Sequence, residues 1–169
     1  MWTFLAALAG GLIALLASVS TTYYVQRQAI KAERRTRATL AADEILAAVT
    51  ALCELPREPP ESSDPADADR RQAWSDKKES LIYRIMAQTL LIPMPDFQER
   101  VKFAAEAMLY SSELQTFESF SEMGSREVLC AEILDCLGAY YQGKPLPSER
   151  KTTTRVRAAI EQTIDLEDT

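Results

Sequence analysis

The stretch that decides the architecture is residues 2–26, WTFLAALAGGLIALLASVSTTYYVQ, followed by residues 27–37, RQAIKAERRTR. The first carries no charged side chain, and its first two thirds are apolar. A bilayer core of about 30 Å needs about 20 helical residues to cross it. Trp2 and Tyr24 lie 22 residues apart, which in a helix is roughly 33 Å. That spacing puts Trp2 in one interface and Tyr23 and Tyr24 in the other, where amphipathic rings prefer to sit. In lipid such a segment satisfies its backbone only as a helix. The expectation is a transmembrane helix over residues 1–26.

Two other readings fit less well. A cleaved signal peptide needs a basic leading region and a small-x-small cleavage site. Here the leading region is Met1 alone, and the best cleavage candidate is Ser18-Val19-Ser20. A buried helix of a soluble protein rarely runs 25 residues without a charge.

Residues 27–37 form a basic collar. Arg27, Lys31, Arg34, Arg35 and Arg37 stand against Glu33 alone. Positive flanks stay on the cytoplasmic side, so the expected topology is N-terminus outside and C-terminal domain inside, in a cell (inner) membrane. The same five residues suit anionic lipid headgroups. Residues 38–169 carry 14 basic and 24 acidic side chains, net −10. An anionic surface repels such a domain, which points to a domain held off the lipid.

Within the span, Ala6, Gly10, Ala14 and Ser18 recur every fourth residue. Small residues at this spacing let two helices approach closely. An alanine-rich span also produces the spacing by chance, yet it is the most specific interaction signal in the chain.

No Gly or Pro interrupts residues 12–55, so the span is expected to continue directly into the next helix. There Ala38, Ala41, Ala42, Ile45, Val49, Leu52 and Cys53 share a face. Pro56 opens a Pro-rich, acidic segment, residues 56–71 at its widest, that reads as a loop or disordered linker. A second helix over residues 72–92 sets Trp74, Leu81, Ile82, Ile85, Met86, Thr89 and Ile92 inward. After Pro93-Met94-Pro95, Asp96 begins a third, with Glu99 as its capping-box partner. Phe97, Val101, Ala104, Ala105, Met108 and Leu109 form its inner face, and helicity extends toward Phe120. Gly124-Ser125 opens a fourth helix with Leu129, Ile133, Cys136, Leu137 and Tyr140 inward and Glu132, Asp135 and Gln142 outward. Gly143 suits the left-handed residue after a helix, with Pro145 behind it. A last helix starts near Ser148 and carries Val156, Ala159, Ile160, Thr163 and Ile164. The whole reads as all-α: a transmembrane helix entering an antiparallel bundle of four to five helices over residues 38–169.

The layout resembles a group of actinobacterial proteins with one N-terminal span, a basic collar and a small helical domain. The residues behind the resemblance are the span and collar and the Leu137-Gly138-Ala139…Gly143-Lys144-Pro145-Leu146-Pro147 stretch. It implies that architecture, no activity and no site residues.

Composition excludes several chemistries. The chain of 169 residues has no His, which removes Ser-His and Cys-His nucleophile pairs and His-ligated metals. Net charge −6 argues against a nucleic-acid binder. Five scattered glycines make no phosphate loop. Cys53, Cys130 and Cys136 lack CxxC spacing; two read as core positions, and no metal or cofactor is expected. Glu99, Glu106, Glu113, Glu118, Glu127, Glu132 and Asp135 read as a solvated face rather than a di-iron set. Acid–base chemistry by Asp, Glu, Lys and Tyr needs no His, but no constellation of them stands out. The leading expectation is a membrane-anchored, non-enzymatic interaction or scaffold module that self-associates or binds a protein partner. The alternatives are an accessory subunit of a transporter or enzyme, and a secreted helical domain after signal cleavage.

Overall fold

The computed structural model describes residues 2–56, 65–109 and 125–167. Among these residues the chain is all-α, with five helices and no strand: α1 Trp2–Glu54, α2 Pro65–Thr89, α3 Pro95–Leu109, α4 Ser125–Tyr141 and α5 Lys151–Glu167. The chain divides into two compact units, residues 1–37 and residues 38–169.

The first unit is the N-terminal part of α1. Every side chain described from Thr21 to Arg37 is exposed, the apolar Val25 and Ile30 included. Among the described residues no helix is long and apolar enough to cross a membrane. The side chains of residues 2–18, which carry most of the apolar run, lie outside the described set.

The second unit is a helical bundle. Ala38, Ala41, Ala42, Ile45, Ala48, Val49 and Leu52 of α1 are buried, at the 3–4 spacing of one helix face. Ile82, Ile85, Thr89 and Ile92 come in from α2 and its end, and Phe97, Val101, Ala104, Ala105, Ala107 and Met108 from α3. Leu129, Cys130, Ile133, Cys136 and Leu137 from α4 and Val156 from α5 complete the core. Thr89 is buried without penalty, because its hydroxyl donates to the Ile85 carbonyl at 2.7 Å.

Cross-helix bonds fix the directions. Arg84 pairs with Glu44, and Trp74 Nε1 donates to the Pro56 carbonyl at 3.1 Å, so α2 runs against α1. Tyr141 donates to Asp43 at 2.6 Å, and Arg126 Nη2 to the Leu55 carbonyl at 2.7 Å, so α4 also runs against α1. The Phe97 and Tyr140 rings lie 5.9 Å apart, and Cys130 Sγ meets Met108 Sδ at 3.9 Å, so α3 runs against α4.

Several boundaries differ from the sequence expectation. Residues 65–71 are helical rather than linker, because Pro65 preorganises a first turn where its missing N–H costs nothing. Helix α3 begins at Pro95, one residue before the expected Asp96, for the same reason. The side chain of Gln98 ties back to the Ile92 carbonyl at 2.8 Å and its backbone N–H to Met94 at 2.9 Å, while Glu99 faces Arg157 across 4.0 Å instead of closing a capping box. Helix α5 starts at Lys151, not near Ser148. Cys53, expected on the inner face of α1, is exposed. The expected extension toward Phe120 lies outside the described residues.

Gly143 ends α4 as expected, with φ of 61°. Its N–H bonds the Tyr140 carbonyl at 3.0 Å and the Lys144 N–H bonds the Ala139 carbonyl at 3.0 Å. This paired 5→2 and 6→1 arrangement is a Schellman motif.

Candidate functional site

The span, collar and interface-aromatic residues singled out in the sequence all lie on α1. The backbone of Trp2, Ala6, Gly10, Ala14 and Ser18 is helical, and their side chains are outside the described set. Tyr23 and Tyr24 are exposed, and Gln28 donates to the Tyr24 hydroxyl at 3.0 Å. Arg27, Lys31, Arg34, Arg35 and Arg37 are all exposed, and Arg37 pairs with Glu33 one turn away.

The second unit holds a polar centre absent from the sequence reading. Glu132, expected on the solvated face of α4, is fully buried. Its Oε1 receives a hydrogen bond from the Arg100 guanidinium of α3. Its Oε2 receives the Arg150 backbone N–H at 3.2 Å and the Thr153 hydroxyl at 3.2 Å. Arg100 also donates through Nη1 to the Pro147 carbonyl. A buried carboxylate with both oxygens satisfied is the arrangement that makes such burial tolerable. Burial pulls the Arg100 pKa down, but the bond and charge of Glu132 more than restore it, so the net shift is upward.

The sequence carried a signal for this. Glu132 stands three residues after Leu129 and four before Cys136, on the apolar stripe itself. An acid at a core register needs a buried cation, and Arg100 supplies it from another helix. Thr153, in a run with poor helix propensity, earns its place through its bond to Glu132.

Above this pair lies an open cleft of about 410 Å3 lined by Asp96, Glu99, Arg100, Glu149 and Arg157. Arg157 is bound to Glu149 at 2.9 Å and stacks over Phe103 at 3.9 Å. Arg150 is held by Asp135 at 2.7 Å, and that bond, against an opposing pull from burial, raises its pKa. The guanidiniums are therefore committed to carboxylates of the chain. Chemically the centre clamps the 142–150 turn and α5 onto α3 and α4. Among the described residues no group of three or more Cys, Asp or Glu side chains is set to hold a metal.

A second cluster closes the end of α1. Arg126 donates to the Leu55 carbonyl at 2.7 Å and the Pro56 carbonyl at 3.0 Å. Trp74 donates to the same Pro56 carbonyl. These bonds satisfy carbonyls that a helix end leaves without partners. Lys78 lies 5.7 Å from the Trp74 ring, and burial, then Arg126, holds its pKa below the usual lysine value. Beside them Cys130 is buried and Cys53 exposed. Burial, and then the Cys53 thiol, pushes Cys130 up to about 12.

No family model matches this chain, and no curated protein or solved structure matches it either.

Proposed function

We propose that this chain is a membrane-tethered, non-enzymatic helical interaction module. Residues 2–26 span the membrane, and the collar of Arg27, Lys31, Arg34, Arg35 and Arg37 keeps the bundle on the cytoplasmic side. The observation that carries the reading is the charge-free run, whose Tyr23, Tyr24 and Val25 are exposed, joined to a basic segment in which Ile30 is exposed as well. Apolar and aromatic side chains left open on a helix suit a lipid interface better than water. The polar centre supports a structural rather than a catalytic bundle, since its cations already hold carboxylates of the chain.

The partner is a second copy of the chain or another membrane protein, met through Ala6, Gly10, Ala14 and Ser18. Crosslinking of the full-length protein in its membrane, with mass spectrometry of the bands, tests this. Bands at multiples of 18.9 kDa holding only this chain, and lost on Gly10→Leu, are expected. A reproducible foreign polypeptide unaffected by Gly10→Leu would instead favour an accessory subunit that docks through its bundle.

A further inference from the structure

Three sulfur atoms from three helices meet near the end of α1. Cys53 is exposed in the last turn of α1, Cys130 is buried in the second turn of α4, and Met108 Sδ of α3 lies 3.9 Å from Cys130 Sγ.

The antiparallel register of α1 and α4 brings the two cysteines level. One end of the pairing is Tyr141 on Asp43, and the other is Arg126 on Leu55 and Pro56. Cys53 stands ten residues beyond Asp43 and Cys130 eleven before Tyr141. Along the two helices these are about 15 Å and about 17 Å. The Cys53 thiol bears on Cys130 through its charge and a side-chain hydrogen bond, which after burial raise the Cys130 pKa. Cys136 is also buried, but two turns away on α4 and beside Arg100 and Glu132.

We propose that Cys53 and Cys130 form a redox modification site, in which exposed Cys53 takes up a peroxide oxidant and buried Cys130 resolves it as a disulfide between α1 and α4. In the first step the Cys53 thiolate attacks hydrogen peroxide. An S–O bond forms, the O–O bond breaks, and the departing hydroxide takes up the thiol's proton as water. Cys53 is then a sulfenic acid. In the second step the Cys130 thiolate attacks that sulfur. The S–S bond forms, the S–O bond breaks, and a second water leaves with the Cys130 proton. Two thiols lose two electrons, and one peroxide becomes two waters.

The environment sets the order and the pace. Only Cys53 meets solvent, so it reacts first. Cys130 is a slow resolver, because burial, Cys53 and Glu127 hold its proton on and only Arg126 loosens it. From α2, Lys78 lies close to Arg126, and from α3 the neighbour is the uncharged Met108. Closure follows the Cys130 thiolate fraction. It therefore speeds up about tenfold per pH unit across the range below the Cys130 pKa.

The test uses the full-length protein, reduced and then treated with hydrogen peroxide at pH 7.5 and at pH 9, with non-reducing peptide mapping. The expected product is a single intramolecular Cys53–Cys130 peptide pair. Its closure is roughly ten- to thirtyfold faster at the higher pH, and a Cys53 sulfenic acid is trapped by dimedone at the lower. Cys136→Ser leaves the pair intact, whereas Cys130→Ser leaves only the trapped sulfenic acid. Wild-type mapping alone decides the matter if a variant fails to fold. Oxidation of Cys53 to the sulfinic acid without a crosslink, a crosslink to Cys136, or only Cys53–Cys53 bonds between chains would each overturn the proposal.

Discussion

Arg100 and Glu132 form an ion pair inside the bundle, with side-chain exposures of 13% and 1%. The pair joins α3 to α4. Through the second oxygen of Glu132 it also captures Arg150 and Thr153 at the entry to α5. Three helices thus share one carboxylate. Removing one partner of a buried pair leaves the other uncompensated, which costs about 3–5 kcal/mol. Glu132→Leu is expected to lower the urea midpoint by that equivalent. Arg100→Met combined with Glu132→Leu is expected to recover most of the loss, since a well-packed apolar replacement is often neutral. Denaturation followed by circular dichroism measures both, and a Glu132→Leu variant with the wild-type midpoint contradicts the clamp.

The Tyr141 hydroxyl donates to Asp43 at 2.6 Å. Burial, then this bond and the charge of Asp43, pushes its pKa up to about 12, against about 10 for an ordinary tyrosine. Only the neutral phenol can donate, so the bond's stabilisation is fully present below pH 10 and is lost as pH rises through 12. Difference titration at the tyrosinate absorbance, wild type against Tyr141→Phe, isolates this group. Asp43→Asn is expected to bring its pKa back toward the ordinary value. An unmoved titration would show that Asp43 does not hold the proton.

Two glycines, one inside α4 and one just past its end, predict opposite signs. Gly143 has φ of 61°, and Gly138 lies inside α4; a Cβ at either meets nothing within 4 Å. At Gly143 the cost of a side chain is therefore conformational, so Gly143→Ala destabilises by about 1–2 kcal/mol. At Gly138 the helix gains from lost unfolded freedom, so Gly138→Ala stabilises by about 0.5–1 kcal/mol. Thermal melts of the pair check the claim, and shifts of the same sign refute it.

Arg126 holds two carbonyls at the end of α1. Arg126→Met takes this donor from the Leu55 carbonyl and leaves Trp74 alone on Pro56, and is expected to cost about 1–3 kcal/mol. Because Trp74 shares the Pro56 carbonyl, the variant should also shift Trp74 emission to the red. Fluorescence of a Trp2→Phe background, which leaves Trp74 as the remaining indole, provides the readout.

Apolar spacing made the helices and most of the core legible. Ile82, Ile85, Val101, Leu129 and Ile133 fall where a 3.6-residue period puts them, and all are buried. Boundaries were less legible where proline plays two roles. Pro56 ends a helix, yet Pro65 and Pro95 begin one, and a first turn tolerates proline because its N–H has no partner there. The polar centre was missed for a different reason. Glu132 is an acid on an apolar register, and its cation lies 32 residues earlier in the chain. Local pattern flags the anomaly but cannot name the partner. The Cys53–Cys130 approach is of the same kind, since it follows from the register of two helices far apart in sequence.

The central claim is that residues 2–26 anchor the bundle to the cytoplasmic face of a membrane. The most direct measurement is alkaline carbonate extraction of membranes holding the full-length chain, paired with protease treatment of sealed inside-out vesicles. The account predicts that the chain stays in the pellet with its N-terminal residues intact, and that protease digests the bundle while sparing the segment before Arg27. Release of an intact chain into the carbonate supernatant, or a bundle protected in inside-out vesicles, would contradict it.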